Sequence, residues 1–200
     1  MKTLAITLFT VAAIVFGIGN QAQATVNTNN NKGIVLTDIT RINRIEVYGN
    51  VQVYVSNGTA DEVKVYNRYY AENALIQSRN GVLRITSYNK AEKLVVWVTA
   101  KELSGITAYD NANISSFGNL SAIELDVKLY NNASATLKLD AYSARVTIND
   151  RACANLSGTV NEYSLNRSQG SSVNGSNLIA EHTSEVLNGA KVKADEYAGL

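Results

Sequence analysis

From Ile45 onward the chain alternates apolar and polar residues. Ile45, Val47, Val51, Val53 and Val55 are interleaved with Glu46, Gln52 and Tyr54, a period of two that predicts half-buried β-strands. Asn57-Gly58 closes this run with a turn signal, and Val63-Lys64-Val65-Tyr66 continues as a strand. Leu75-Ile76 predicts a short strand, Asn80-Gly81 a tight turn and Val82 to Thr86 another strand. Leu94 to Val98 is apolar throughout and predicts a buried strand. No window carries a 3.6-residue amphipathic pattern, and Ala71-Glu72-Asn73-Ala74 has room for one helical turn at most.

A repeat organises the rest. Tyr88-Asn89-Lys90-Ala91 returns as Tyr109-Asp110-Asn111-Ala112 and as Tyr130-Asn131-Asn132-Ala133, 21 residues apart each time (109−88, 130−109). Ile85, Ile106, Val127 and Ile148 keep that step. Further on the step is 19, through Ala133, Ala152, Ser171 and Ala190, with Leu137, Leu156, Val173 and Val192 following more loosely. Such units are too short for a βαβ element, and they lack the leucine spacing of a leucine-rich repeat and the Gly-rich calcium-binding nonapeptide. The remaining solution is an all-β, single-stranded parallel β-helix or solenoid with one repeat per coil of about 19–21 residues. Coils stack about 4.8 Å apart. The strands of 34–80 and the charged tail Lys193-Ala194-Asp195-Glu196 are the expected caps over its open edges. With Ile106 and Ala108 inward, Tyr109 points outward, and likewise Tyr130 after Val127 and Leu129. Tyr88, Tyr109 and Tyr130 are therefore expected to form an outward column with Arg151 next in line, and the residue after each Tyr to bond coil to coil at the corner.

The first 24 residues read as an export signal: a positive start at Lys2, an apolar stretch from Leu4 to Ile18, and Ala22-Gln23-Ala24 as the cleavage site. The apolar stretch falls short of the roughly 20 residues a membrane-spanning helix needs, so no membrane span is expected once the leader is cut after Ala24. Residues 25–37 read as a flexible polar tether. Residues 38–200 read as one β domain, with opening strands over 38–80 and coils over 81–200. Of 18 Lys and Arg residues, removing Lys2 leaves 17 against 17 Asp and Glu, a balance that argues against nucleic-acid binding. One Cys and one His exclude an internal disulfide and multi-His or Cys-rich metal sites, and no cofactor is expected. The absence of Pro, with 13 Gly and 11 Tyr, agrees with strands and turns.

With these parts placed, the chain resembles the putative auto-transporter adhesin, head GIN domain family. The opening strand pair matches as Ile45 to Tyr54, and the following block as Asn80 to Ile85, Leu94 to Thr99 and Leu103-Ser104-Gly105-Ile106. Coverage runs from about Asp38 to the C-terminus. The corners depart from the family's Gly-Ser-Gly-like pattern, reading Asp110-Asn111-Ala112, Asn131-Asn132-Ala133 and Gly170-Ser171-Ser172. The resemblance implies a right-handed β-helix-like fold and a place in the periplasm, on the outer-membrane surface or outside the cell. It carries over no catalytic residues.

Candidate chemistry is sparse. His182 stands alone among loop-like residues. Cys153, flanked by Ala152 and Ala154, is expected in the core. Glu124 and Asp126 share a strand face, as paired acids of a polysaccharide lyase or hydrolase would, but Leu125 inward makes that face solvated. Asp61-Glu62 and Asp195-Glu196 are the other acidic pairs. The expectation is a non-enzymatic adhesive module that contacts a glycan or surface protein through Tyr88, Tyr109, Tyr130 and Arg151. A β-helix polysaccharide enzyme and a passive envelope protein are the alternatives. Nothing in the sequence speaks to oligomeric state.

Overall fold

The computed structural model describes residues 33–39, 41–67, 70–187 and 190–191. The export signal, the tether over 25–32, Val192 and the charged tail at 193–196 lie outside the described residues. In chain order the elements are β1 (Ile34–Val35), β2 (Arg44–Tyr48), β3 (Val51–Asn57), β4 (Glu62–Val65), one helical turn α1 (Tyr70–Asn73), β5 (Ala74–Arg79), β6 (Val82–Ser87), β7 (Leu94–Ala100), β8 (Gly105–Ala108), β9 (Asn113–Leu129), β10 (Ser134–Ile148), β11 (Cys153–Arg167), β12 (Ser172–Leu187) and β13 (Ala190–Lys191). The fold is all-β, and α1 occupies the single turn that the Ala71–Ala74 segment allows.

The thirteen strands form one mixed sheet. An all-parallel arrangement was the expectation from the repeat, and it holds only for part of the sheet. β9 to β12 are parallel, and β2 and β3 also pair only with parallel neighbours. The β1–β4, β4–β7, β5–β6 and β12–β13 pairs are antiparallel. The physical reason is local. Asn80 and Gly81 both take positive φ, 52° and 79°, and that tight turn reverses the chain between β5 and β6. Ile34 and Val35, read from the sequence as tether, instead pair with Val65 and Lys64.

The sheet curls around its core because one long strand has different neighbours along its length. β9 pairs with β3 at its beginning and with β8 at its end. β2 and β3, joined by the corner Gly49-Asn50, follow the same bend. Side chains alternate accordingly: Leu94, Val96, Val98 and Ala100 of β7 point in, while Val95, Trp97 and Thr99 point out and are half-buried. The Leu94–Val98 run is thus buried on one face only, and its outer residues cover the sheet surface.

Register shows which repeated residues meet. Ile106 opposes Val127, 21 residues on, as the repeat requires. Ile85, however, opposes Val47, and Ile45 opposes both Leu83 and Ile106, so β2 is inserted between the first repeat unit and the second. Ile148 opposes Leu129 rather than Val127. Leu137 opposes Leu156, but Val173 opposes Ala154 instead of continuing that row. The change of step has a visible cause. Asn113 pairs with Ser134 (134−113 = 21) and Asn119 with Lys138 (138−119 = 19), so Ser116, Phe117 and Gly118 face the single residue Leu137. A β-bulge of two extra residues separates the long coil from the short ones. Gly158, at φ 102°, sits where a Cβ would run into the Leu139 carbonyl, so backbone and neighbour together require glycine there.

The inner rows of aliphatic side chains form one contiguous core, from Ile42 and Val63 at one end to Leu165 at the other. Fully burying one such side chain contributes about 1.5–3 kcal/mol. Tyr163 closes the core near β12. It is 8% exposed, and its hydroxyl has no hydrogen-bond partner. Burial, and then the negative charge of Glu185, push that hydroxyl up to about 12. Glu185 itself is held by Arg167 Nε at 2.6 Å.

A tyrosine whose folded pKa is raised contributes stability that is complete below its ordinary 10.0 and is lost as pH rises through about 12. Urea titrations across that window are expected to show the native chain losing stability more steeply than Tyr163→Phe. At about pH 8 the variant should be at least as stable, because it removes an unpaired buried hydroxyl.

Candidate functional site

Each corner that follows β2, β8, β9 or β10 carries an outward tyrosine or its equivalent. Tyr109 donates its amide to the Val47 carbonyl and Tyr130 to Ala108, so successive rings lie one strand spacing apart. Tyr48 and Tyr109 stack with centroids 4.7 Å apart and planes 4° from parallel, and Tyr109 and Tyr130 at 4.9 Å and 8°. Those distances match the spacing of neighbouring strands, which is why identical residues in register stack. The column therefore exists, but its first member is Tyr48. Tyr88 is 66% exposed and stands apart, its amide donating to Asn73 O. Thr86 opposes Tyr48 in the row Tyr88 was expected to fill, because the β2–β6 register sets Leu83 and Ile85 beside Ile45 and Val47 and so leaves Tyr88 two residues beyond that row. Burial, and then the adjacent Glu46 carboxylate, hold the Tyr48 hydroxyl above its ordinary value, and Arg84 pairs with the same carboxylate at 2.7 Å.

The corner residues form two further ladders. Asp110, Asn131 and Asp150 all take positive φ, between 57° and 60°, a conformation these short polar side chains tolerate. Each accepts an amide from the neighbouring corner: Gly49 N to Asp110 Oδ2 at 3.1 Å, Asp110 N to Asn131 Oδ1 at 3.2 Å, and Asn131 N to Asp150 Oδ2 at 2.8 Å. One residue further on, Asn132 Nδ2 donates to Asn111 Oδ1 at 3.4 Å, and Arg151 Nε to Asn132 Oδ1 at 3.1 Å. Arg151 therefore caps an asparagine ladder and is not the next rung of the tyrosine column. That rung is Asn149, which donates its amide to Leu129 O. The small residues that end each turn, Ala112, Ala133, Ala152 and Ser171, are all buried, which explains their recurrence.

The remaining candidates separate. Cys153 is exposed, contrary to the core position expected for it: Ala152 and Ala154 take the inward places, and the alternation turns Cys153 out between Ser134 and Ser172. His182 Nε2 is 3.9 Å from Glu162 Oε1, and both side chains are largely exposed. Asp126 is engaged by Lys128 Nζ at 2.6 Å, and Leu125 between the two acids is buried as expected. Glu124 instead lines a groove of about 880 Å³ between residues 101–104 and the bend that exposes Ile123 and Tyr142. Among the described residues no cluster of three or more His, Cys, Asp or Glu side chains is arranged to hold a metal ion. No helix among them is long and apolar enough to cross a membrane.

One constellation was not anticipated. Tyr54 and Trp97 are register partners on β3 and β7, with ring centroids 5.5 Å apart. Phe117, lifted out by the bulge in β9, lies 5.0 Å from Trp97 and is 65% exposed. The signal was present in the strand period, since Val96 and Val98 inward put Trp97 outward. The bulge that brings Phe117 beside it shows in the sequence only as the change from 21 to 19.

The profile of the putative auto-transporter adhesin, head GIN domain family matches residues 41–194. The chain belongs to this family. Solved structures agree on the fold. A putative adhesin from Bacteroides fragilis is 15% identical over 78% of both chains, with a TM-score of 0.67. One from Parabacteroides merdae is 14% identical over 76% of this chain and 75% of that one, at 0.61. A protein of Parabacteroides distasonis named as a putative lipid binding protein is 10% identical over 80% and 79%, at 0.58. At such identities the likeness speaks for the fold alone. No curated protein matches the sequence.

Tyr109 stacks on two rings and Tyr130 on one. Denaturant titrations are expected to place Tyr109→Ala about 1–3 kcal/mol below the native chain and Tyr130→Ala about half as far. Tyr88→Ala should stay within about 0.5 kcal/mol. At the corner, Asp150→Ala is expected to destabilise more than Asp150→Gly. Both lose the acceptor for Asn131 N, but only alanine is strained at this φ by about 1–2 kcal/mol.

Proposed function

We propose that the mature chain is an exported, non-enzymatic module of the bacterial envelope. It presents the outer surface of a rigid sheet to a glycan or surface-protein ligand. The observation that carries this reading is the register of β9 to β12. Four consecutive long strands pair in parallel nearly end to end, so side chains on the outside form straight rows at one strand spacing. A surface with that regularity suits a ligand that is extended and repetitive. Membership of a family named for adhesins supports the same conclusion.

The register also supports winding as a single-stranded β-helix. Residues 19–21 apart are lateral neighbours, so each repeat unit advances the chain by about one strand spacing. The strong preference of parallel crossover connections for one hand supports a right-handed sense. In this reading residues 38–200 form one domain behind a cleaved leader, and residue 24 ends the leader. Tyr109 offers its ring edge to a ligand, because Tyr48 and Tyr130 lie on its two faces, while Tyr130 also offers the face turned away from Tyr109. Tyr88 and Arg151 belong to separate surroundings and would contact it independently.

Antibody labelling of intact cells of the native host, together with fractionation, is expected to find the chain in the envelope with its sheet accessible. Immobilised glycans and surface proteins should bind it saturably. Turnover of a polysaccharide that disappears in Glu124→Ala or Asp126→Ala would overturn the non-enzymatic reading, and retention of the chain in the cytoplasm would overturn the envelope reading.

A further inference from the structure

We infer that the shelf formed by Tyr54, Trp97 and Phe117 is a binding site for a neutral, pyranose-containing glycan. The inference rests on the recognition reading above and names the site and the ligand chemistry. The bulge comes first. Ser116, Phe117 and Gly118 add two residues to β9 that no core position uses. A Cβ at Gly118 would meet no atom within 4 Å, so this glycine serves its φ of 79° and not a need for space. The outcome of the bulge is to hold a phenylalanine largely in water beside the tryptophan. Bulges of this kind re-aim side chains at functional positions.

The ring geometry differs from that of the tyrosine column. In the column the rings are parallel and cover each other. On the shelf the planes are inclined by 32° and 58° instead, with centroids 5.5 Å and 5.0 Å from that of Trp97, so the rings are not laid flat on one another. An aromatic face is electron-rich, and the C–H face of a pyranose is apolar with weakly positive hydrogens, so the two attract while the sugar hydroxyls stay free for hydrogen bonds.

The row beside the shelf is uncharged, and a cation outside it is Lys138, exposed and with its backbone amide donating to Ser116 Oγ of the bulge. From Tyr54 the outward row continues across neighbouring strands as Ser115, Thr136, Asn155 and Asn174. These hydroxyls and amides both donate and accept, and they repeat at strand spacing without a charge among them. Lys64, which opposes Trp97, is already paired with Glu62 at 2.5 Å. An acidic or basic polymer would find no free counter-charge in this row, whereas a neutral glycan finds rings for its C–H faces and an amide–hydroxyl row for its hydroxyls.

Trp97 is the only tryptophan in the sequence, so its fluorescence reports on the shelf directly. The full mature chain should be titrated with soluble neutral polysaccharides (a β-glucan, a mannan and a galactan) and with alginate as the acidic control. The expected result is a saturable change in emission with at least one neutral polymer and none with alginate. Phe117→Ala should weaken that binding about tenfold or more, while Leu75→Ala, at an exposed position of the edge strand β5, leaves it unchanged. Because Phe117 is exposed on a bulge and touches one ring, circular dichroism of the variant should match the native chain and its unfolding midpoint should fall no further than that of Tyr130→Ala. Trp97→Phe, followed by calorimetry, should keep most of the affinity. Absence of any response to the three neutral polymers, stronger binding of alginate, or binding indifferent to Phe117→Ala would each overturn the inference. Binding lost in Tyr130→Ala but kept in Phe117→Ala would overturn the shelf and leave recognition by the sheet standing. Absence of binding to any glycan or surface protein would remove both.

Discussion

Parallel strands held in register at one fixed spacing are the constraint on which this molecule depends. Once residue i lies beside residue i+19, every side chain inherits the environment of its counterpart. Inward positions become continuous rows of valine, leucine and isoleucine, and no single unit has a core without its neighbours. Outward positions become ladders. The same spacing that suits backbone hydrogen bonds falls within the range at which aromatic rings stack, so tyrosines in register form a column with no further device. Corner carboxylates and amides likewise find the amide of the adjacent corner. One geometric fact thus produces the core, the tyrosine column and the hydrogen-bonded corners together.

Departures from that regularity are where the molecule acquires individual features. Inserting β2 and β3 between the first repeat unit and the second separates Ile85 from Ile106 and brings Tyr48 into the column in place of Tyr88. The hairpin at Asn80-Gly81 places an antiparallel pair at one edge, and β1 and β4 do the same on the other run, so short irregular strands replace long parallel ones where the sheet would otherwise end. The bulge in β9 costs the ladder two residues and exposes Phe117. A regular stack supplies rigidity, and its interruptions supply distinct surfaces.

Ion pairs contribute little to this balance. Arg41–Glu102, Arg84–Glu46 and Lys64–Glu62 are substantially exposed, and solvent screens pairs of that kind. Stability comes from the aliphatic rows and the backbone ladders, with the tyrosine column and the corner hydrogen bonds adding to them.

That the fold is all-β was legible in the residues themselves, while the mixed sheet was not. Strict alternation sets which face of a strand is buried, and it correctly placed Ile106, Ala108, Val127 and Leu129 inward and Tyr109 and Tyr130 outward. The recurrence of Ala112, Ala133 and Ala152 marked corners too tight for a larger buried side chain. Cys153 was misplaced only because its small apolar neighbours outweighed that same alternation. Two things were not legible. The order in which units stack depends on backbone pairing between segments far apart in sequence, so no periodicity reveals that β2 lies between β6 and β8. The meeting of Trp97 with Phe117 depends on a bulge and on a pairing through β3, neither of which either residue encodes. Local pattern therefore determined what each residue does within its own strand, because side-chain direction is a property of the extended backbone. Tertiary structure alone decided which strands are neighbours, and with that which side chains share a surface.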